Sequence, residues 1–255
     1  MDKSVRKRRF KFFLTTTIIC LCVLCISLYQ VLSVHQVQSE AVQEYRTLQK
    51  QYSTMLFSGA ANVDTSPAVV GPESENTYDA LKKMNPDYVG WIQQTNAGLD
   101  YPIVQGTDNE MYLETTFEGN ENPSGSVYMD SRNENGFKSR HVILYAHAMN
   151  NGTMFGNLHL YLDEQFIKSN PTIDIVTANG SHLKYRVFSA NTVDAWNECY
   201  EITEDEVGFA YLKDLLDAPD GTEYLLTLST CTLRGNKDDR VVVHAVLDTE
   251  ASVFK

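Results

Sequence analysis

The chain has 255 residues, 43% of them hydrophobic and 11% aromatic, with a formal net charge of −12 at neutral pH. That length suits one soluble domain plus an accessory segment, and the hydrophobic content excludes a disordered or collagen-like chain. The acidic balance argues against nucleic acid as a partner, since neutralising phosphates needs clustered Lys and Arg. The total conceals an asymmetry. Residues 1–11 hold Lys3, Arg6, Lys7, Arg8, Arg9 and Lys11 against Asp2, a balance of +5 that leaves −17 for everything from Phe12 onward.

Behind this basic head runs FFLTTTIICLCVLCISLYQVLSV, 23 uncharged residues from Phe12 to Val34. As a helix rising ~1.5 Å per residue it spans about 34 Å, enough to cross a ~30 Å hydrocarbon core. A helix satisfies its own backbone in lipid, and basic residues on one flank hold that flank in the cytoplasm. The expected topology is a single-pass cell-membrane protein: 1–11 cytoplasmic, 12–34 in membrane lipid, the remainder outside. A cleaved signal peptide would have a shorter apolar region of roughly 7–15 residues and a small-x-small site. No Ala-x-Ala pattern follows Val34, so an uncleaved anchor is expected. Cys20, Cys22 and Cys25 fall inside the span as small apolar fillers; Cys199 and Cys231 remain for the external part.

Residues 35–75 read as a helix followed by a flexible linker, the helix either continuing the membrane span as a stalk or packing on the domain behind it. Val42, Tyr45, Leu48 and Tyr52 recur at three- and four-residue steps, the spacing of an amphipathic helix over 36–56. SGAANVDTSPAVVGPESE (58–75) is small, polar and proline-punctuated, a linker composition. The external domain is expected over 76–255. It opens with a short helix in which Thr77 is the cap and Asn85-Pro86 the stop. Beyond Trp91 come LDYPIVQG, SGSVYMD, HVILYAH, TIDIVTA, KYRVFSANTV, EYLLTLSTC and RVVVHAVL, β-branched and aromatic runs separated by Gly, Asn, Asp and Pro. They predict seven or eight strands. Two helices interrupt them, over 157–170 and over 202–219, the second with Thr203 as a cap three residues before Glu206. The fold class is mainly β, a closed barrel or a sandwich with peripheral helices.

Among six histidines, His147 stands apart: it ends the apolar strand VILYA and opens the polar loop AMNNGTMFG. Strand ends feeding loops are where a barrel displays side chains to a ligand. Cys231 occupies a matching place at the end of EYLLTLST, and Arg240 begins the next strand. A hairpin between those strands brings the ends carrying Cys231 and Arg240 together. A thiolate is a nucleophile favoured by a nearby cation, and a histidine can protonate a leaving amine. An arginine offers fixed donors to an oxyanion. On the residues alone a Cys199–Cys231 disulfide, with Cα atoms about 4.4–6.8 Å apart, stands beside a functional thiol. Asp130, Arg132 and Asn133 either support the site or form a turn, and the turn is favoured; Asp238 and Asp239 either orient Arg240 or are solvated loop charges, and the latter is favoured. No His/Asp/Glu/Cys cluster has metal-ligand spacing and no phosphate-cradling glycine loop occurs, so neither metal nor cofactor is expected.

TLSTC (227–231), with Arg240 opening a strand of the VVVHA type, resembles the active-site signature of class B sortases. VGWIQQTNAGLDYPIVQGTDNEMYL (89–113), SGSVYMDSRN (124–133) and VILYAHAMNNGTMFGNL (142–158) are similar to successive class B blocks, and the likeness covers about 76–248. It implies a closed sortase-type barrel of about eight strands with a helix ahead of the catalytic strand. It implies His147 as the catalytic histidine, Cys231 as a free nucleophilic thiol and Arg240 as the arginine. The implied activity is membrane-anchored cysteine transpeptidation. A sorting signal, NPxTx-like or a variant, is cleaved after Thr, held as a thioester and passed to a peptidoglycan amine. Where the family usually has Gly before the histidine, this chain has Ala146. Strand alternation puts Ser229 on the face of Cys231, so Ser229, with Thr230 beside it, is a candidate substrate contact. Two other readings are a pilin-polymerising enzyme, whose acceptor is a lysine of another subunit, and a surface binding module with Cys199 and Cys231 bridged.

Overall fold

The computed structural model describes residues 3–58, 72–233 and 236–255, and the chain divides into two compact units, Met1–Ala41 and Val42–Lys255. The first belongs to a helix, α1 (Lys3–Leu48), whose apolar stretch from Phe12 is long enough to cross a membrane. Its large apolar side chains, Phe12, Ile19, Leu24 and Leu32 among them, point outward. Thr15 and Thr17 return their hydroxyls to the carbonyls of Phe12 and Phe13, at 2.9 and 2.8 Å. That back-bonding satisfies a polar group on its own helix, which is what a threonine in an apolar span requires.

In the second unit, the last turns of α1 lead through a wide turn (Gln49–Ser53) into α2 (Thr54–Ser58). Tyr45, Leu48, Tyr52 and Leu56 are buried and Val42 is half-buried, so the face marked by this spacing packs within the second unit, which begins at Val42. Ser53 Oγ donates to Asp100 Oδ1 at 2.6 Å, and Trp91 Nε1 donates to the same oxygen at 2.8 Å, so this segment is tied to the barrel wall. Most of the expected linker, 59–71, lies outside the described residues. The next helix, α3 (Pro72–Met84), begins earlier than its composition suggests, and Thr77 lies inside it instead of capping it. Proline at a first helical position costs no hydrogen bond, so Pro72 starts a helix where its neighbours read as linker.

Eight strands follow: β1 (Tyr88–Gln94), β2 (Leu99–Val104), β3 (Val127–Met129), β4 (His141–Tyr145), β5 (Thr172–Thr177), β6 (His182–Asp194), β7 (Leu225–Cys231) and β8 (Asp239–Leu247). They close a barrel in the order β1-β2-β3-β4-β7-β8-β6-β5. The β2/β3 and β4/β7 pairs are parallel and the others antiparallel. The expected helix over 157–170 is broken in two, a 3-10 turn (Leu158–Leu162) and α4 (Glu164–Ser169), because extended Asp163 caps the second by accepting from Gln165 N. α5 (Glu206–Leu215) is capped by Asp205, which accepts from Val207 N and Gly208 N. Thr203 instead donates to that Asp205 carboxylate, at 2.7 Å.

Alternation along paired strands assigns the faces of the β4-β7-β8 strip. The outward face carries Leu225, Val242 and Val246, and on them pack Cys199, Phe209, Leu212 and Leu216 from α5 and its leading loop. Beneath that cover runs a polar chain. His141 bonds through Nδ1 to the Glu201 carbonyl at 2.8 Å and through Nε2 to Thr227 Oγ1 at 2.7 Å; Thr227 Oγ1 meets His244 Nδ1 at 3.0 Å. A carbonyl only accepts, so His141 Nδ1 carries the hydrogen, Thr227 donates to His141 Nε2, and His244 Nδ1 donates to Thr227.

Burial holds His141 neutral, pushing its pKa down to about 4, and burial with His141 alongside pushes His244 to about 3. A histidine in the unfolded chain titrates near 6.5. Between about pH 6.5 and these folded values the unfolded state therefore binds more protons, and stability falls as pH falls. The loss reaches up to about 1.4 kcal/mol per pH unit for each histidine. Urea midpoints measured from neutral pH down to about pH 5 should decline, and His244→Gln should flatten that slope. An unchanged slope in the variant contradicts the assignment.

Candidate active site

The strip that is covered under α5 opens at its rim. β4 and β7 run parallel in the register His141↔Leu225 through Tyr145↔Ser229. The ladder extends one step further, Ala146 N donating to the Ser229 carbonyl at 3.4 Å and Thr230 Oγ1 to the Ala146 carbonyl at 2.7 Å. His147 and Cys231 each follow the last register pair by two residues, so alternation returns both to the outward face. Across the antiparallel β7/β8 pair, Cys231 stands directly opposite Arg240. Three strand ends thus present an imidazole, a thiol and a guanidinium in one row. Cys231 is exposed, and His147 and Arg240 are half-buried.

Two members of the row, His147 and Arg240, are held by main-chain carbonyls. His147 Nε2 lies 2.8 Å from the Leu113 carbonyl. Because that oxygen only accepts, Nε2 keeps its hydrogen in the neutral ring, and Nδ1 is the nitrogen left to exchange a proton. The histidine carbonyl in turn accepts from Phe155 N at 3.0 Å, fixing the loop that follows. Arg240 Nη1 donates to the Lys237 and Asp239 carbonyls at 2.8 and 3.1 Å. Backbone carbonyls orient the guanidinium without cancelling its charge, which leaves it able to stabilise an anion.

Behind the row stands a tier of tyrosines. Tyr128 and Tyr145 have ring centroids 5.4 Å apart, and Tyr145 and Tyr200 stack at 6.3 Å. Cys231 and Arg240 both act electrostatically on Tyr128 and Tyr200, so these groups share one space. Burial is the main cause that pushes the Tyr200 hydroxyl up to about 12 and Tyr128 and Tyr145 up as well; all three stay neutral donors at neutral pH. Tyr145 Oη donates to Asp130 Oδ2 at 2.9 Å, and Arg132 pairs with the same carboxylate through Nε and Nη2 at 2.9 and 2.8 Å. Burial alone would raise the Asp130 pKa, but the Arg132 bonds and charge outweigh it and hold the carboxyl below its ordinary range.

These contacts favour the supporting reading of Asp130 and Arg132 over the plain turn, since Asp130 is fully buried and anchors Tyr145. Ser229 and Thr230, expected near substrate, are 2% and 4% exposed, with hydroxyls on Tyr200 Oη (2.8 Å) and the Ala146 carbonyl. Ala146 does not adopt a positive φ, so the methyl in place of glycine carries no backbone strain. Cys199 and Cys231 are both free, which removes the bridged alternative. Asp239 takes Asn236 N at 3.1 Å instead of orienting Arg240 through its carboxylate. The Leu113 carbonyl and the tyrosine tier are absent from the sequence-level site. A backbone acceptor 34 residues from its histidine leaves no residue-type signal.

The family model of the sortase domain matches residues 91–248. Sortase B of Listeria monocytogenes is 29% identical over 198 residues, spanning 75% of each chain. Sortase B of Staphylococcus aureus is 31% identical over 183 residues, covering 71% of this chain and 70% of the relative. The Staphylococcus aureus sortase B–substrate complex superposes with a TM-score of 0.68 at 27% identity, over 82% of this chain and 97% of that one.

The thiols of Cys199 and Cys231 differ sharply. Burial, with Asp194 nearby, raises Cys199 to about 12, whereas Cys231 is exposed at the rim. Iodoacetamide at neutral pH should therefore modify Cys231 in the folded protein and reach Cys199 after denaturation. Peptide mapping that finds Cys199 modified as fast as Cys231 contradicts this placement.

Proposed function

This chain belongs to the sortase family of cysteine transpeptidases, class B, and from that membership we propose that it is a membrane-anchored enzyme whose catalytic residues are Cys231, His147 and Arg240. The carrying observation is the row of three strand ends fixed by the β4/β7 and β7/β8 registers. Its substrates are surface proteins bearing an NPxTx-like sorting signal. The Cys231 thiol gives its proton to His147 Nδ1 as its sulfur attacks the threonine carbonyl carbon, and the carbonyl oxygen gathers charge that the Arg240 guanidinium stabilises. As the C–N bond breaks, His147 gives its Nδ1 proton to the departing amine and the acyl group stays on sulfur as a thioester. A peptidoglycan amine then attacks the thioester and forms the new amide, its displaced proton passing through His147 Nδ1 to the departing Cys231 sulfur, which restores the thiol and the neutral ring. The span 12–34 anchors the chain, with its basic head in the cytoplasm and the catalytic unit outside.

Ser229 and Thr230 are read as supports of this site, because their hydroxyls already hold Tyr200 and the Ala146 carbonyl. Trapped products distinguish wall anchoring from pilin polymerisation: the first joins the signal to a wall-peptide amine and the second to a lysine of another subunit.

Cys231→Ala should abolish cleavage of a fluorogenic sorting peptide, and turnover persisting in that variant would remove the nucleophile assignment. Arg240→Lys keeps the charge but loses the planar donor fork. Losing one oxyanion donor costs roughly 10²–10³ in kcat, and a comparable fall is expected here. Near-normal kcat in Arg240→Lys would contradict the oxyanion role.

A further inference from the structure

We propose that Tyr45, at the end of α1, is a positioning residue for His147, acting through the loop over 113–126. This rests on the reading of His147 as the proton donor. The orientation of the imidazole depends on where the Leu113 carbonyl sits, and that carbonyl ends a 3-10 turn (Met111–Leu113). The chain then folds back on itself, with a bridge between Thr115 and Glu121, and Ser126 N donates to the Tyr112 carbonyl at 2.9 Å. On the return Gly125, at φ +57°, lies directly against the turn. A Cβ there would stand 2.5 Å from both the Leu113 and Tyr112 carbonyl oxygens. With no side chain between them, the place of the Gly125 backbone sets the place of the acceptor that holds His147.

Tyr45 grips that backbone. Its hydroxyl donates to the Gly125 carbonyl at 2.6 Å and accepts from Phe117 N at 3.3 Å, joining both sides of the fold-back. The ring is 4% exposed and packs edge-on to Tyr101 at 5.3 Å, so the hydroxyl has one place to be. Glu44 beside it takes Thr116 Oγ1 at 2.8 Å, Glu118 N at 3.0 Å and Asn120 Nδ2 at 3.1 Å. Two consecutive residues of α1 therefore hold the loop from both of its arms. Contacts run unbroken from Tyr45 to Gly125, from Gly125 to the Leu113 carbonyl, and from that carbonyl to His147 Nε2.

The test compares Tyr45→Phe with Ser53→Ala in the full chain in detergent micelles. Tyr45→Phe keeps the packed ring and deletes one hydroxyl. Ser53→Ala loosens the same N-terminal segment through Asp100 and leaves the loop untouched. Tyr45→Phe should lower kcat for peptide cleavage roughly tenfold with KM within about twofold, as a small misplacement of a catalytic group does. Nitrogen-15 spectra should show His147 as the Nε2–H tautomer in wild type and a mixture of tautomers in Tyr45→Phe. Ser53→Ala should match wild type in both. Wild-type kcat and tautomer in Tyr45→Phe, or the same changes in Ser53→Ala, overturn the proposal. A shifted tautomer with unchanged kcat upholds the clamp but removes His147 from the chemistry, so the two readings fail separately.

Discussion

The parallel pairing of β4 with β7 is the constraint on which the rest depends. With Tyr145 opposite Ser229, two more residues along each strand reach His147 and Cys231 on one face. Side chains alternate with a period of two, so a slip of one residue in either strand would turn one of them into the barrel. The antiparallel β7/β8 ladder adds Arg240 opposite Cys231 under the same rule. Hydrogen bonds that ordinarily serve only stability here also set the relative positions of the His147, Cys231 and Arg240 side chains. Thr230 adds a side-chain bond to the Ala146 carbonyl where the regular ladder is ending.

Register is strong only where the paired strands are well anchored, and the strip is anchored by polar groups as well as apolar ones. The outward face of β4-β7-β8 carries His141, Thr227 and His244, joined in a chain of hydrogen bonds under α5. A buried polar group without a partner is costly, so this chain permits essentially one alignment of the three strands. Nearer the rim the buried Asp130 performs the same service for Tyr145, and Ser229 for Tyr200. Arg132 also donates to the Tyr200 carbonyl at 3.1 Å, linking the β3 end to the segment that leads to α5. The open row is thus backed by satisfied buried groups that hold the tyrosines behind it.

Much of this was legible in the sequence because β4, β7 and β8 are continuous β-branched runs with reactive residues at their ends. β1 was not singled out, since Gly90 and the pair Gln93-Gln94 interrupt its apolar pattern. The glycine is needed there because a Cβ would come 2.9 Å from the Val176 carbonyl of the neighbouring strand. The stripe Tyr45, Leu48 and Tyr52 was visible as a helix face, but nothing local says that the face packs against the barrel unit. The partner of His147 is a main-chain oxygen, and the supports of Tyr145 and Tyr200 are ordinary Asp and Ser residues. Such roles arise from closure of the barrel and become visible only when distant segments meet.

The central claim is that three strand ends form one catalytic row with Cys231 as its nucleophile. Intact-mass and peptide-mapping measurements on the full chain, quenched in acid during reaction with a small library of sorting peptides, address it directly. The expected result is an adduct ending at the peptide threonine, mapped to Cys231 and released by hydroxylamine as a thioester is. Turnover with the adduct on another residue, or with no adduct under conditions that trap thioesters, would contradict it.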